Sequence, residues 1–229
     1  MCGRYVSPDE ASVEREFNLV RTEWQFPISY NVAPTQRVPA VRITDGKPQG
    51  VLLRWGLIPL WANGVPPSVE GTKRPLSTIN AKVENIRSAN TWRDPWMRGQ
   101  RCIIPALGFY EWQVQDDGKT TRPFYIIAND QEVFGFAGLW DTSTRADSLV
   151  IESCTIVTVP ANKLMSVIHN GKYRMPAILT REDRDVWLSG TPDAAFKAIK
   201  QYPDNMLATQ VSTRVNAPKN NDAKLIEPV

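Results

Sequence analysis

The clearest sign of the fold is the stretch RVPAVRITDGKPQGVLLRW, residues 37–55. Its two halves alternate apolar and polar residues, as half-buried β-strands do, and Asp45-Gly46 lies between them. An Asp-Gly pair between two such runs is typical of a two-residue turn in which both backbone φ angles are positive. The stretch therefore predicts a β-hairpin with strands over residues 37–44 and 49–55.

More extended runs follow in the middle of the chain. Residues 103–114 and 123–128 flank Asp117-Gly118 and predict a second hairpin. Residues 133–139 and 149–159 have the apolar content of buried strands. The central part of the chain is therefore predicted to be rich in β-structure.

Helix signals lie nearer the two ends. A first helix is predicted to begin at Ser7, which can cap it, with Pro8 at the first helical position and Glu10 completing a capping box. An apolar stripe at helical spacing follows, formed by Val13, Phe17 and Val20. Later helices are predicted within residues 83–97 and 161–168, and after the caps Thr180 and Thr191. Together these elements predict an α+β protein: one domain, residues 1–229, with a curled, mostly antiparallel, barrel-like sheet flanked by helices. Residues 64–75 are predicted to form a surface loop.

Composition narrows the class of protein. With 42% hydrophobic and 22% charged residues, the chain can fill a core, which excludes a disordered protein. We find no apolar run near the roughly 18 residues that cross a bilayer and no secretory signal, so we expect a cytoplasmic protein without a membrane partner. The three cysteines, Cys2, Cys102 and Cys154, are too scattered for a disulfide framework or a zinc site, and we expect neither metal nor cofactor. A net charge of +3 permits a polyanionic partner without requiring one.

Cys2 offers the most distinctive chemistry. If Met1 is removed, Cys2 carries an α-amine and a thiol on adjacent carbons, with ordinary pKa values of about 7.7–8.0 and about 8.5. Such a pair reacts with an aldehyde in a particular way: the amine forms an imine, and the sulfur adds to the same carbon and closes a thiazolidine. This chemistry requires an accessible chain end.

Three further residues are candidates for proton transfer. His169 is the only histidine and precedes Arg174 by five positions, which suits proton transfer beside a phosphate. Glu111 lies among the aromatic residues of GFYEW (108–112), where it must be paired or have its pKa raised by desolvation, as a general acid requires. Asn80 by itself is only typical of a turn or a helix start.

These residues belong to motifs that occur together in one known family. In chain order they are MCGRY (1–5), YNVAP (30–34), RWGLIP (54–59), NAKVE (80–84), GFYEW (108–112), and His169 with RMP (174–176). Along nearly its whole length the chain resembles the SOS response-associated peptidase (SRAP) family.

The resemblance implies a protein that senses abasic sites in single-stranded DNA and cross-links to them, which shields the lesion. It implies a monomer that associates with the nucleoid when bound to DNA, with possible lyase and self-processing activities. The implied catalytic residues are Cys2 as nucleophile, Asn80 to orient it, Glu111 to shuttle protons and His169 to assist opening of the sugar ring. The implied DNA-binding residues are Arg4, Asn31, Pro34, Trp61, Lys82, Lys172 and Arg174.

The chain departs from the family pattern at two places. Lys82 replaces a common arginine, which keeps the charge but loses the bidentate geometry. Four residues separate His169 from Arg174, where the family has a compact run; the guanidinium can therefore be relocated, with Lys172 as the substitute phosphate contact.

Two other functions remain open from the sequence. Cys2, His169 and Glu111 also suit a cysteine peptidase that acts on other proteins. Mild basicity and eight tryptophans also suit a non-catalytic module that binds single strands.

Overall fold

The computed structural model describes residues 2–19 and 24–229; Val20 of the predicted first helix lies outside this part. In the described part, the strands are β1 (Arg4–Ser7), β2 (Ser29–Val32), β3 (Arg37–Thr44), β4 (Lys47–Trp55), β5 (Asn80–Lys82), β6 (Arg101–Ala106), β7 (Gly108–Val114), β8 (Thr121–Ala128), β9 (Phe134–Thr144), β10 (Val150–Pro160), β11 (Arg174–Pro176), β12 (Ile178–Leu179) and β13 (Met206–Gln210). The helices are α1 (Glu10–Glu16), α2 (Asn90–Met97), α3 (Lys163–Ile168), α4 (Arg181–Ser189) and α5 (Pro192–Ala198).

A closed barrel forms the centre of the molecule. β4 pairs with β3, β3 with β6, and β6 with β9, all antiparallel. β10 closes the ring because it pairs antiparallel with β9 and parallel with β4. β5 also pairs parallel with β10, and the short strands β11 and β12 extend the sheet. The predicted α+β fold with a curled, barrel-like sheet is confirmed, and its parallel pairs make the sheet mixed.

A second sheet packs beside the barrel. It is antiparallel throughout, in the order β13-β8-β7-β1-β2. Tyr5 of β1 packs edge-on against Trp55 and Phe136 of the barrel, with ring centroids 5.4 and 5.8 Å apart. Such aromatic contacts join the two sheets through one core, so the chain forms a single domain.

Both predicted hairpins are confirmed. In the first, Thr44 pairs with Lys47, and the turn residues Asp45 and Gly46 have φ angles of 51° and 75°. The run over residues 103–114 is divided at Leu107, because β6 belongs to the barrel whereas β7 belongs to the second sheet.

The helix starts follow the sequence only in part. The prediction of Ser7 as a cap is wrong, since Ser7 ends β1 and Asp9 caps α1 by accepting from Ser12 N. Thr191 caps α5 as predicted, whereas the Thr180 side chain donates to Asp183 and makes no backbone cap. None of the helices described is long and apolar enough to cross a membrane.

Candidate active site

The β1–β7 pairing brings the start of the chain to the candidate site. Cys2 lies two residues before the first residue of β1. Asn80, the first residue of β5, donates from Nδ2 to the Cys2 carbonyl oxygen at 2.8 Å. The Cys2 side chain is 0% exposed, with Sγ 3.7 Å from the carbonyl oxygen of Arg4. Burial is the main cause that raises the pKa of the Cys2 thiol, and the charge of Glu111 raises it further. Cys2 and Asn80 are therefore in contact, but the thiol is protonated and closed to solvent, unlike the accessible end that its chemistry requires.

Glu111 and His169 lie opposite each other. Glu111 is in β7 and 3% exposed, and its Oε2 lies 3.9 Å from Nε2 of His169, which follows α3. Burial raises the pKa of Glu111 to about 7. At neutral pH both forms of this carboxyl are populated, so Glu111 can either donate or accept a proton.

The backbone fixes the tautomer of His169. Its Nδ1 lies 2.8 Å from the carbonyl oxygen of Arg174. Because a carbonyl oxygen only accepts, Nδ1 carries the hydrogen, and Nε2 of the neutral ring is a proton acceptor directed at Glu111. Desolvation by burial lowers the pKa of His169, which favours this neutral form.

Arg4 and Asn31 are used inside the protein. The Arg4 guanidinium donates to Asn31 Oδ1 at 3.2 Å and to the Val215 carbonyl at 2.9 Å. Asn31 is 2% exposed, and its amide donates to backbone carbonyls of the C-terminal segment. Asn31 therefore has almost no surface to offer DNA, and Arg4 keeps only its partly exposed side.

Four predicted DNA-binding residues do reach the surface. Trp61 is 50% exposed in a 3₁₀ turn over Leu60–Ala62, beside a groove of about 580 Å³. Pro34 is half-buried in the turn after β2, and Lys82 and Lys172 are exposed. The charge of Lys172 acts on both Glu111 and His169, which places this lysine near the candidate site.

Arg174 is the exception among the predicted phosphate contacts. It is 9% exposed, and its Nη2 donates to Glu84 Oε2 at 3.0 Å and to the Thr158 carbonyl at 2.6 Å. The hydrogen bond from Arg174 lowers the pKa of Glu84. Glu84 was not among the predicted site residues, although its place at the end of the NAKVE motif was a usable signal.

A second group that the sequence did not reveal supports the Trp61 turn. Asp141 of β9 is 2% exposed, accepts from Leu60 N at 3.0 Å and pairs with Arg98 at 2.8 Å. Ser143, two residues further on, accepts from Gly64 N at 2.8 Å. The contacts to Leu60 and Gly64 span 81 and 79 residues of sequence and the Arg98 pair spans 43, so no local pattern predicts them.

The remaining cysteines lie away from this chemistry. Cys102 and Cys154 are buried in the barrel strands β6 and β10, and all three cysteines are free. Over residues 2–19 and 24–229, no cluster of three or more His, Cys, Asp and Glu side chains could hold a metal ion.

Comparison with known proteins agrees with these motifs. A model of the family described as SOS response associated peptidase (SRAP) matches residues 1–218. Abasic site processing protein YoqW of Bacillus subtilis is 38% identical over 235 residues, covering 99% of both chains. Abasic site processing protein HMCES of Gallus gallus is 28% identical over 250 residues, covering 94% of this chain and 72% of that protein.

Solved structures agree as well. A crystal structure of a protein from Bacteroides thetaiotaomicron superposes with a TM-score of 0.85 at 26% identity and covers 100% of both chains. Because the family model spans nearly the whole sequence and the fold of a solved structure matches from end to end, the resemblance seen in the motifs is confirmed. The chain belongs to the SOS response associated peptidase (SRAP) family.

Proposed function

We propose that this protein processes abasic sites in single-stranded DNA by forming a thiazolidine cross-link through Cys2 after removal of Met1. The observation that carries the proposal is the meeting of Cys2, Asn80, Glu111 and His169 at one site, although they are far apart in sequence. Its support from known proteins is that relatives covering most of this chain are named abasic site processing proteins.

The reaction balances without an oxidant or a reductant. The Cys2 amine adds to the C1 aldehyde of the opened sugar, and loss of one water gives the imine. The sulfur then adds to the same carbon while the thiol proton moves to the nitrogen, which closes the ring. Glu111, with its pKa at about 7, protonates the departing hydroxyl, and His169 Nε2 accepts the C1 hydroxyl proton when the sugar ring opens.

Burial of the thiol sets the order of these steps. The pKa of the Cys2 thiol is raised, so sulfur is protonated at neutral pH, whereas an unperturbed α-amine is partly free near pH 7.7–8.0. Nitrogen therefore attacks first and sulfur second. If the imine collapses by β-elimination before ring closure, the strand is cut, which is the proposed lyase side activity.

The exposed residues suggest how a strand is held. Trp61 and Pro34 stack on or wedge between flanking bases, while Lys82, Lys172 and the open side of Arg4 neutralise phosphates. Asn31 contributes through its hydrogen bond to Arg4.

A peptidase that acts on other proteins fits the geometry less well. Cysteine nucleophiles react as thiolates and have lowered pKa values. The pKa of the Cys2 thiol is raised, which disfavours a thiolate, whereas the proposed cross-link begins with the amine and needs none.

Intact-mass spectrometry of the protein mixed with an abasic oligonucleotide tests the proposal. We expect loss of Met1 and an adduct of the protein plus the oligonucleotide minus one water, stable to denaturant. Cys2→Ser should form no stable adduct, whereas Cys102→Ala should behave as the wild type. An equally stable adduct with Cys2→Ser, or equal affinity for intact and abasic strands without any adduct, would refute the proposal; the second result is that of a simple binding module.

A further inference from the structure

The Arg174 side chain is occupied within the protein. Its two terminal nitrogens donate to the two carboxylate oxygens of Glu84, and Nη2 also donates to the backbone and side-chain oxygens of Thr158. The side chain is 11% exposed, so little of it faces solvent. A DNA phosphate would have to displace the Glu84 carboxylate to occupy the same end of the guanidinium.

These contacts connect segments that carry catalytic candidates. Glu84 lies in the 3₁₀ turn Val83–Asn85 directly after β5, the strand that begins with Asn80. Thr158 belongs to β10, which pairs with β5 on one side and β11 on the other. The carbonyl oxygen of Arg174 itself accepts from His169 Nδ1. One guanidinium thus ties the Asn80 strand to the backbone group that orients the histidine.

The loop before Arg174 needs such support. Tyr173 has a φ of 53°, a left-handed conformation that is unfavourable for a bulky residue and persists only where surrounding contacts impose it. On its N-terminal side the loop is held by the bond from Tyr173 N to His169 O at 2.9 Å. On its C-terminal side the Arg174 side chain anchors it to Glu84 and Thr158.

From these contacts we infer that Arg174, Glu84 and Thr158 form a clamp that fixes the tautomer and position of His169 relative to Asn80. Arg174 is therefore a positioning residue, and the exposed Lys82 and Lys172 supply the phosphate-binding charge instead. The kinetic consequence of the clamp rests on the proposed function, whereas its effect on His169 does not.

The single histidine makes the clamp directly measurable. Ring ¹⁵N chemical shifts of His169 at pH 8, without DNA, should show the hydrogen on Nδ1 in the wild type. Arg174→Lys keeps the charge but loses the bidentate geometry, and Glu84→Gln keeps the shape but loses the charge. Each should shift the ring toward a mixture of tautomers. Arg87→Lys, which alters an exposed ion pair with Asp193, should leave the shifts unchanged. Wild-type shifts in both clamp variants would overturn the inference.

Cross-linking kinetics separate a clamp from a phosphate contact. We expect Arg174→Lys and Glu84→Gln each to slow adduct formation at least tenfold. The Kd for abasic single-stranded DNA should stay unchanged in both variants. Because both substitutions break the same clamp, the double variant should react no more slowly than either single variant. If Arg174 contacts a phosphate, Arg174→Gln lowers the slope of log affinity against log salt by about 0.7, and Glu84→Gln tightens binding. That pair of results would overturn the inference. Absence of any adduct with the wild-type protein would instead refute the proposed function and leave the ¹⁵N result standing.

Discussion

The candidate active site and the Trp61 turn differ in how solvent reaches them. Cys2, Glu111 and His169 are at most 6% exposed, and burial changes the pKa of each. Trp61 is 50% exposed, and the polar groups that matter there, such as Asp141, lie underneath the turn. Burial thus sets the protonation states of the side chains in the candidate active site. Under the Trp61 turn, the buried polar groups instead hold the backbone of the turn in place. We therefore expect changes in the buried cluster to alter rates and changes at the turn to alter affinity.

The largest effect should come from Glu111→Gln, which keeps the shape of the side chain but cannot ionise. We expect adduct formation to slow by about 10²–10⁴-fold, the usual contribution of a general acid or base, with Kd for abasic DNA within about twofold of the wild type. Wild-type rates should fall above pH 7 as the acid form is lost, and the variant should lack this decline. Rapid-quench kinetics with Glu132→Gln, an exposed site, as control would test this. Equal losses in rate and affinity would abolish the distinction between the two regions.

Trp61→Ala should have the converse effect. Loss of one base-stacking partner should weaken binding of single-stranded DNA by about 1–3 kcal/mol, or roughly 5–150-fold in Kd. At saturating DNA the rate of adduct formation should remain unchanged, and Trp61→Phe should retain most of the affinity. Fluorescence anisotropy measures the first quantity and single-turnover kinetics the second. A slower reaction at saturation would mean that the turn also positions the lesion.

Stability should reveal the energetic cost of the buried carboxyl. Glu111 has a folded-state pKa of about 7, above its ordinary value of about 4.3, so folding favours the protonated form. This contribution to stability is complete below about pH 4 and is lost as pH rises through 7. Between pH 5 and pH 8 the free energy of unfolding of the wild type should therefore fall by about 2 kcal/mol more than that of Glu111→Gln. Urea unfolding at both pH values gives the comparison; parallel pH dependences would show that Glu111 titrates normally.

The smallest effect should be that of Lys172→Gln. One phosphate contact on a single strand contributes about 0.7 to the slope of log affinity against log salt, so we expect a decrease of that size and a modest loss of affinity at low salt. Lys47→Gln, at the exposed start of β4, should leave the slope unchanged. An unchanged slope for Lys172→Gln would place the strand elsewhere on the surface.

Much of the architecture was accessible from local pattern. Asp45-Gly46 predicted its hairpin because a two-residue turn depends on the φ angles of those residues alone. Ser7 misled because a serine before Pro-Asp-Glu matches a helix cap, while the pairing that made it the end of β1 comes from residues far along the chain. Motif order was enough to identify the family, since it requires no knowledge of which strands meet.

Residue chemistry alone pointed to the amine and thiol of Cys2, to Glu111 and to His169. Three-dimensional packing was needed to show that the Cys2 thiol is buried, that Asn31 faces inward and that the Arg174 guanidinium is bound to Glu84. Exposure and ion pairing depend on contacts between strands separated by many tens of residues. Those contacts, through desolvation and hydrogen bonding, set which groups are charged and which are exposed at the surface.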